Sequence, residues 1–485
     1  MAHQRPNILW YCTDQQRFDT IGALGNPHVR TPNLDRFVAE GTAFTHAYCQ
    51  SPICTPSRAS FLTGMYPSRV HNPRNGNGWV HREVAANLVT RQLAEAGYDG
   101  GLVGKLHLAG AFNGREPRVN DGYRYVKYSH APRNDWPLDQ HDYAAWVQDQ
   151  GVDPYSVLLH NFDRRHLTGA LMAPTPEQDN TPPEVHQTTW GTEASIDFIN
   201  QARPADQPWF LSVNMYDPHP PFNPPWEYYR RYDPDALPGP HFRPSDLEHQ
   251  GRLTASGIDF QSESQPPEDF EGKKVQAAYY AMIEQIDEQF GRLMEALEAS
   301  GQADRTIVIF TSDHGESAGD YGLTQKGCRF FDGLSRVPLV WRLPGQIQAG
   351  LVSDALVELT DIAPTLSEYA GLSVPEATQG RTLRPILSGD APPHTHRDFV
   401  RCEYLDAVNA PDHTFATMYR DRRWKLNVYH GHGIGELFDM QADPHEHDSL
   451  WDSPDHQAIK LDLMQRSFDA TVLAADPGPP RVSSY

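Results

Sequence analysis

The chain is short of the features that would place it in several large classes. Cysteine is scarce: Cys12, Cys49, Cys54, Cys328 and Cys402 are the five in 485 residues. So sparse and odd a set argues against a disulfide framework and leaves room for one chemically special thiol, the others being expected as small buried hydrophobes. No run approaches the roughly 18 consecutive apolar residues of a membrane-spanning helix. The opening residues MAHQRPNILWYCTD lead straight into a strand-like segment without the apolar core of a signal peptide, so a cytoplasmic location is expected. Positive charge is deficient too. With 41 Lys and Arg against 63 Asp and Glu, the formal charge is −22, which disfavours nucleic acid and anionic membranes as partners. Any site for an anionic small molecule must therefore be locally cationic. There is no internal repeat and no low-complexity tract.

What remains is the composition of an ordinary globular protein, 39% hydrophobic and 21% charged, long enough for one large unit and one smaller one. Its 41 prolines and 11% aromatics indicate long, well-packed loops. Pro6 to Thr13 is an apolar run suited to a buried parallel strand. Helices are expected at Thr31–Gly41, with Thr31 as N-cap and Pro32 in the first turn, and at Asn87–Gly97. Tyr98–Gly104, Trp209–Met215, Thr306–Thr311 and Val337–Leu343 read as strands, and Lys274–Ala299 and Thr360–Gly371 as helices. Residues 218–266 lack periodicity and read as a long ordered loop. This alternation predicts an α/β fold, a large mostly parallel sheet sandwiched by helices, over residues 1–385. Short strand candidates (Phe399–Tyr404, Thr414–Tyr419, Trp424–Tyr429, Glu436–Asp439) and a helix near His456–Ala470 predict a smaller C-terminal antiparallel subdomain, 386–485. Its tail DPGPPRVSSY is expected to be extended and to contact another subunit.

Ligands of such sheets bind beyond the carboxyl ends of the strands. There the sequence puts Asp14, then Lys105 and His107, then Asp217 and His219, then Asp313 and His314. Cys54 precedes a helix start, where free amide groups and the helix dipole favour an anion. Arg58, four residues on, lies on the same helical face and can hold a charged oxygen. Lys105 and His107 at i, i+2 would share one face of an extended segment.

Cys54-Thr55-Pro56-Ser57-Arg58, followed by ASFLTG, resembles the C-x-P-S-R signature of the type I sulfatases, members of the alkaline phosphatase superfamily. RPNILWYCTDQQR, TPNLDRFVAEGTAFTHAYCQSPICTPSRASFLTG, GKLHL and SDHGE extend the resemblance from Pro6 to about Gly371. It implies that Cys54 is oxidised to formylglycine by a separate maturation enzyme and acts as nucleophile on a sulfate ester. It also implies one divalent metal ion, held by Asp14, Asp313, His314 and the oxygen at position 54, with Gln15 adding a carbonyl oxygen. Lys105 would anchor formylglycine and substrate oxygens. His107 would take a proton to release sulfate. His219 in DPHPPF and Lys326 in GLTQKG match positions that contact the scissile group.

The sequence departs from many sulfatases at Gln15 and His314, where a second carboxylate and an asparagine are usual. Those two resemble phosphonate monoester hydrolases, and an imidazole ligand shifts preference from calcium toward manganese, leaving the ion open between them. The GK-x-H pair points the other way, because phosphonate hydrolases as a group tend to lack it. The expectation is an arylsulfatase-type enzyme, promiscuous toward phosphonate monoesters and phosphodiesters, with phosphonate or phosphodiester cleavage as the alternative main activity. A binding protein on an inherited fold is disfavoured by the complete set of site residues. Asn75 and Asn77 read as turn residues that can line the pocket. His445-Glu446-His447 and His394-x-His396 read as surface features, and a homo-oligomer is expected.

Overall fold

The computed structural model describes residues 5–475 except 78–81, 112–113, 134–135, 159–180, 205 and 409–412; the expected C-terminal tail lies outside them. The central sheet is built from buried apolar segments: β1 (Asn7–Thr13), β2 (Thr42–Tyr48), β3 (Asp99–Gly104), β4 (Tyr125–Tyr128), β5 (Trp209–Asn214), β6 (Thr306–Ser312), β7 (Arg336–Val337), β8 (Leu339–Arg342) and β9 (Leu351–Glu358). Its order is β4-β3-β5-β1-β6-β8-β2-β7, with β9 also on β2. The β4–β3–β5–β1–β6 portion is parallel throughout. β8 runs antiparallel to both β6 and β2, so β2 points the same way as β6. Seven strands, β1 to β6 and β9, therefore deliver their carboxyl ends to one edge, and the site sits on that edge.

Both faces of the sheet are apolar, which is why these strands read as near-continuous hydrophobic runs. Ile8, Trp10 and Cys12 pack to one side with Phe61, Ile307 and Ile309. Leu9 and Tyr11 pack to the other with Phe290, Leu293 and Val308. The long helix Gly272–Ala299 covers this second face. A separate antiparallel sheet of β10 (Val400–Leu405), β11 (Phe415–Arg420), β12 (Trp424–Tyr429) and β13 (Ile434–Asp439) carries the helix Gln457–Ala474.

Several expectations need local correction. Thr31 does precede the helix Pro32–Glu40, yet its hydroxyl bonds Gly22 N–H and Asp35 instead of capping the helix. The single helix expected at Asn87–Gly97 is two, Arg82–Asn87 and Val89–Glu95, broken at Leu88 in extended conformation. Pro338, which has no N–H to give, splits Val337–Leu343 into β7 and β8. The aperiodic stretch 218–266 contains a helix, Pro244–Ala255, whose buried positions are Asp246, Gln250 and Leu253. Polar packing of that kind leaves no apolar stripe to read.

Candidate functional site

Cys54 opens the helix Cys54–Thr63, every residue of which is buried. It reaches the carboxyl edge of the sheet through the short passage after β2. Thr55 N–H donates to Asn75 Oδ1 at 3.0 Å and Ser57 Oγ to Asp313 O at 2.5 Å. These contacts fix the first helical turn against the ends of other strands. Arg58, one turn on, is 0% exposed. Its Nε donates to Asp313 Oδ2 at 2.8 Å, one Nη to Lys105 O at 2.9 Å and the other to Asp14 Oδ2 at 3.4 Å. One guanidinium thus ties the ends of β1, β3 and β6 to the helix that carries Cys54.

The remaining groups crowd the same sulfur. Lys326 Nζ is 2.8 Å from Cys54 Sγ and 2.8 Å from Gln15 Oε1. Lys105 Nζ is 3.6 Å from Sγ and bonds Asp14 Oδ2. His314 Nε2 is 3.2 Å from Sγ. Burial and Asp14 push the Cys54 thiol up, but Lys105, Lys326 and His314 more than reverse this and hold it well below its ordinary value. Burial likewise opposes ionisation of Asp14, and Lys105, His219, Arg58 and Lys326 overcome it, keeping that carboxylate charged well below the usual range.

Asp14, Cys54, Asp313 and His314 each present a ligand atom, all within 4.8 Å of one another. The donor chemistry suits a hard or borderline divalent cation: two fully buried carboxylates and one imidazole. The imidazole is oriented for it. His314 Nδ1 donates to Gly315 O at 2.8 Å, which leaves Nε2 facing the cluster. Gln15 takes a left-handed backbone, φ 72°. Its amide nitrogen is held by Glu316 Oε2, so Oε1 turns inward toward Lys326. Glu316 is a supporting group that the motif reading passed over, although it stands inside SDHGE. Burial raises it, and Gln15 and two backbone N–H groups hold it in place.

Lys105 and His107 both line the pocket, but not by strand geometry. β3 ends at Gly104, whose φ of 94° and closeness to Asn214 O (2.0 Å from where a Cβ would stand) admit only glycine. His107 itself is left-handed, φ 55°. A further buried carboxylate absent from the sequence reading, Glu116, shapes this turn by accepting His107 N–H at 2.6 Å and Ala109 N–H at 3.0 Å. Burial, then Lys105 and Arg58, keep His107 neutral, and its Nδ1 has no partner among the described residues. His219 Nδ1 faces Pro220 O at 2.7 Å and Tyr216 Oη at 2.9 Å, so the proton sits on Nδ1 and Nε2 is the second, acceptor nitrogen. Asp217 stays out of the cluster: it bonds Thr188, and its carbonyl receives Asp14 N–H at 3.2 Å.

Cys54, Lys105, His107 and His219 open onto one cavity of about 450 Å³, lined also by Asn75, Gly76, Gly110, Ala111, His130, Ala131, Arg133, Trp136 and Tyr216. Asn77 instead bonds Asn72. A second cavity, about 390 Å³, lies beside Arg17, Asp19 and Asp320. Its Arg17 is already neutralised, at 2.7 Å from each of those two carboxylates, its Arg336 pairs with Asp332 at 3.2 Å, and no cysteine or serine occurs among its described lining residues. The two histidine motifs are only partly superficial. His394 is exposed against Asp354, whereas His396 is half-buried against Asp361 at 3.2 Å. Glu446 is buried too, 2.6 Å from Lys425, which also meets Asp332 at 2.8 Å. That charge cluster joins the C-terminal sheet to the segment before β7.

A nucleophile at a helix N-terminus, a carboxylate–imidazole cage and a cationic rim define a hydrolase for esters of tetrahedral oxyanions. The family model "Sulfatase" matches residues 6–372, and the chain belongs to that family. It is a sulfuric ester hydrolase, and sulfatases generally use a divalent metal and a formylglycine. A model of the C-terminal part of N-sulphoglucosamine sulphohydrolase matches residues 319–471. The chain is 29% identical to an arylsulfatase of Clostridium perfringens, covering 95% of this chain and 93% of that protein. It is also 29% identical to a multifunctional alkaline phosphatase superfamily protein of Trinickia caryophylli, covering 97% and 96%. Among solved structures, the phosphonate monoester hydrolase of Agrobacterium radiobacter superposes with a TM-score of 0.78 at 26% identity, covering 97% of this chain and 96% of that one.

Proposed function

We propose that the protein hydrolyses sulfate monoesters of the aryl type, using a formylglycine made from Cys54 by a maturation enzyme. The observation that carries this reading is the convergence of Lys105, Lys326 and His314 on Cys54 Sγ. In the matured protein that sulfur is replaced by the oxygen of a hydrated aldehyde, the nucleophile of this family. A divalent ion held by Asp14, Gln15, Asp313 and His314, calcium or manganese, would act as a Lewis acid on the oxygens of the site.

The protein's own groups do the rest. Arg58, Lys105 and Lys326 supply fixed positive charge where the equatorial oxygens of the transferred group gather charge, and burial makes that charge effective. His219 has Nδ1 held by Pro220 O, so it stands at the cavity wall with Nε2 as its other ring nitrogen; only in its doubly protonated form would it give the Nε2 proton to the leaving oxygen. His107, kept neutral, offers Nδ1 as the proton acceptor that lets the product leave. Glu116 fixes the turn that presents it.

The second reading, cleavage of phosphonate monoesters or phosphodiesters as the main activity, is favoured by Gln15 and His314 and by the likeness to the Agrobacterium enzyme. Promiscuity follows from one cationic site facing anions of similar shape. Relative rates on paired aryl sulfate and aryl phosphonate substrates separate the two. Phosphonate turnover faster by more than about tenfold, roughly 1.4 kcal/mol in transition-state preference, refutes sulfate as the main substrate. The formylglycine is tested by peptide mass spectrometry with a Cys54→Ala control. The expected loss at Cys54 is about 18 Da, and an unmodified thiol in fully active protein sinks the mechanism.

We further propose a division into a catalytic unit, 1–385, and a C-terminal unit, 386–485, and self-association into a homo-oligomer. Leu461, Phe468 and Val472, on the helix Gln457–Ala474, are 70%, 68% and 55% exposed, and such a face is commonly covered by a second subunit.

A further inference from the structure

The turn that follows β5 carries a side chain to which the chemistry above gives no task. Met215 N–H donates to Cys12 O at 2.9 Å and Asp14 N–H to Asp217 O at 3.2 Å, so the backbone on either side of Tyr216 is tied to the end of β1. His219 N–H then donates to Tyr216 O at 3.1 Å and closes a four-residue turn. Tyr216 and His219 are both buried, and both line the 450 Å³ cavity with Cys54 and Lys105.

Inside this turn three polar atoms meet. His219 Nδ1 lies 2.7 Å from Pro220 O and 2.9 Å from Tyr216 Oη, and the Tyr216 hydroxyl donates to Pro220 O at 3.0 Å. A carbonyl oxygen has two lone pairs, so Pro220 O accepts from both. With its hydrogen committed there, the phenol turns a lone pair toward the imidazole, and the Nδ1–H is shared between two oxygens. The two rings lie 4.7 Å apart at 33°, and Lys105 Nζ stands 5.7 Å from the centre of the Tyr216 ring. An imidazole held in this way at one nitrogen keeps one tautomer and one orientation.

That restraint gives proton transfer its direction. As the S–O bond to the leaving group breaks, the electron pair stays on the leaving oxygen, which takes a proton from Nε2 of the doubly protonated His219. The ring left behind is neutral and still carries Nδ1–H, the state that Tyr216 and Pro220 hold. A ring loose at Nδ1 can turn Nε2 away from the leaving oxygen, and a misplaced proton donor transfers slowly.

We infer that Tyr216 is a positioning residue for the departure of the leaving group: its hydroxyl, with Pro220 O, pins His219 Nδ1–H so that the Nε2 proton is aimed at the leaving oxygen. The inference rests on the sulfate-ester reading and on His219 as the acid in it.

The test compares kcat/KM for phenyl sulfate, whose leaving oxygen needs the proton, with that for 4-nitrophenyl sulfate, whose leaving oxygen needs it far less, in matured, metal-loaded enzyme. Tyr216→Phe keeps the ring and removes only the hydroxyl. It should raise the 4-nitrophenyl to phenyl ratio about five- to tenfold, the range of one hydrogen bond. His219→Ala should raise that ratio about 100-fold. Tyr216→Phe combined with His219→Ala should add nothing further, because one residue acts through the other. An equal loss for the two esters overturns the inference and leaves the sulfate reading standing, since a change in the cavity wall or in the fold does not distinguish leaving groups. So does a rise in the ratio that persists in the His219→Ala background. A ratio that His219→Ala leaves unchanged removes the acid and the inference together. Hydrolysis of neither ester by the native enzyme overturns the sulfate reading itself.

Discussion

Replacing Arg58 by methionine separates charge from volume at the centre of the site. The side chain is fully buried, and methionine fills similar space without its donors. What is lost is the 2.8 Å bond to Asp313, the 3.4 Å bond to Asp14 and the 2.9 Å bond to Lys105 O. Removing one partner of a buried ion pair costs about 3–5 kcal/mol, because the carboxylates stay behind uncompensated. Lys105 remains on Asp14, which places the expected loss near the lower end for protein held in a metal chelator. A divalent ion should recover part of it, since it binds the same two carboxylates more tightly once a competing cation has gone.

The pH dependence has a definite sign. Asp14 is held well below 3.8 in the folded protein, so its contribution to stability is present above that value and lost as pH falls through the folded one. Arg58→Met raises the folded value, and acid unfolding should therefore begin at higher pH. Urea unfolding followed by circular dichroism, with chelator and then with manganese or calcium, measures both effects. The kcat/KM of the matured variant should fall about 100- to 1,000-fold. A stability loss under about 1 kcal/mol in chelator, or a loss that metal leaves unchanged, would refute the view that Arg58 neutralises the carboxylate pair.

Three other outcomes are expected. In protein that has not been matured, Cys54 should alkylate with iodoacetamide at a rate nearly flat from roughly pH 7 to 9, because Lys105, Lys326 and His314 hold its thiol well below 9.0; a rate climbing steadily to pH 9 counts against this. Lys326→Met should move that profile to higher pH and, after maturation, cut kcat/KM about 100-fold or more; an unaltered kcat/KM would remove Lys326 from the mechanism. Burial lifts Glu116 from 4.5 to about 7, so stability should decline as pH rises between those values, by about 3 kcal/mol at roughly 1.4 kcal/mol per pH unit. Glu116→Gln, which cannot ionise, should lack that decline in urea titrations at pH 4.5 to 7.5, and parallel profiles would show that Glu116 does not titrate there.

The unequal legibility of the molecule follows from where each kind of information resides. Apolar runs such as Asn7–Thr13 and Thr306–Ser312 are buried on both faces, so composition alone marks them. Their carboxyl ends then converge by topology, and Asp14, Lys105, His219 and Asp313 could be assigned to one edge before any coordinate was known. β2 was harder, because Thr42, Thr45 and His46 interrupt its apolar pattern, yet this strand aims Cys54 at the same edge. The groups that set the geometry of the site were least visible. Glu116 acts on a backbone N–H nine residues back, Asn75 on one twenty back, and Glu316 on a side chain 301 residues away. Such contacts start from loops, which have no period to read, and those of Glu116 and Glu316 act on a backbone that turns left-handed at Gln15, Gly104 and His107. His130, Arg133 and Trp136 likewise stand on loops. Parallel strands dictate which residues meet at the reacting centre, but the loops beyond them decide which ester reaches it, and a rule based on strand ends has no access to that choice.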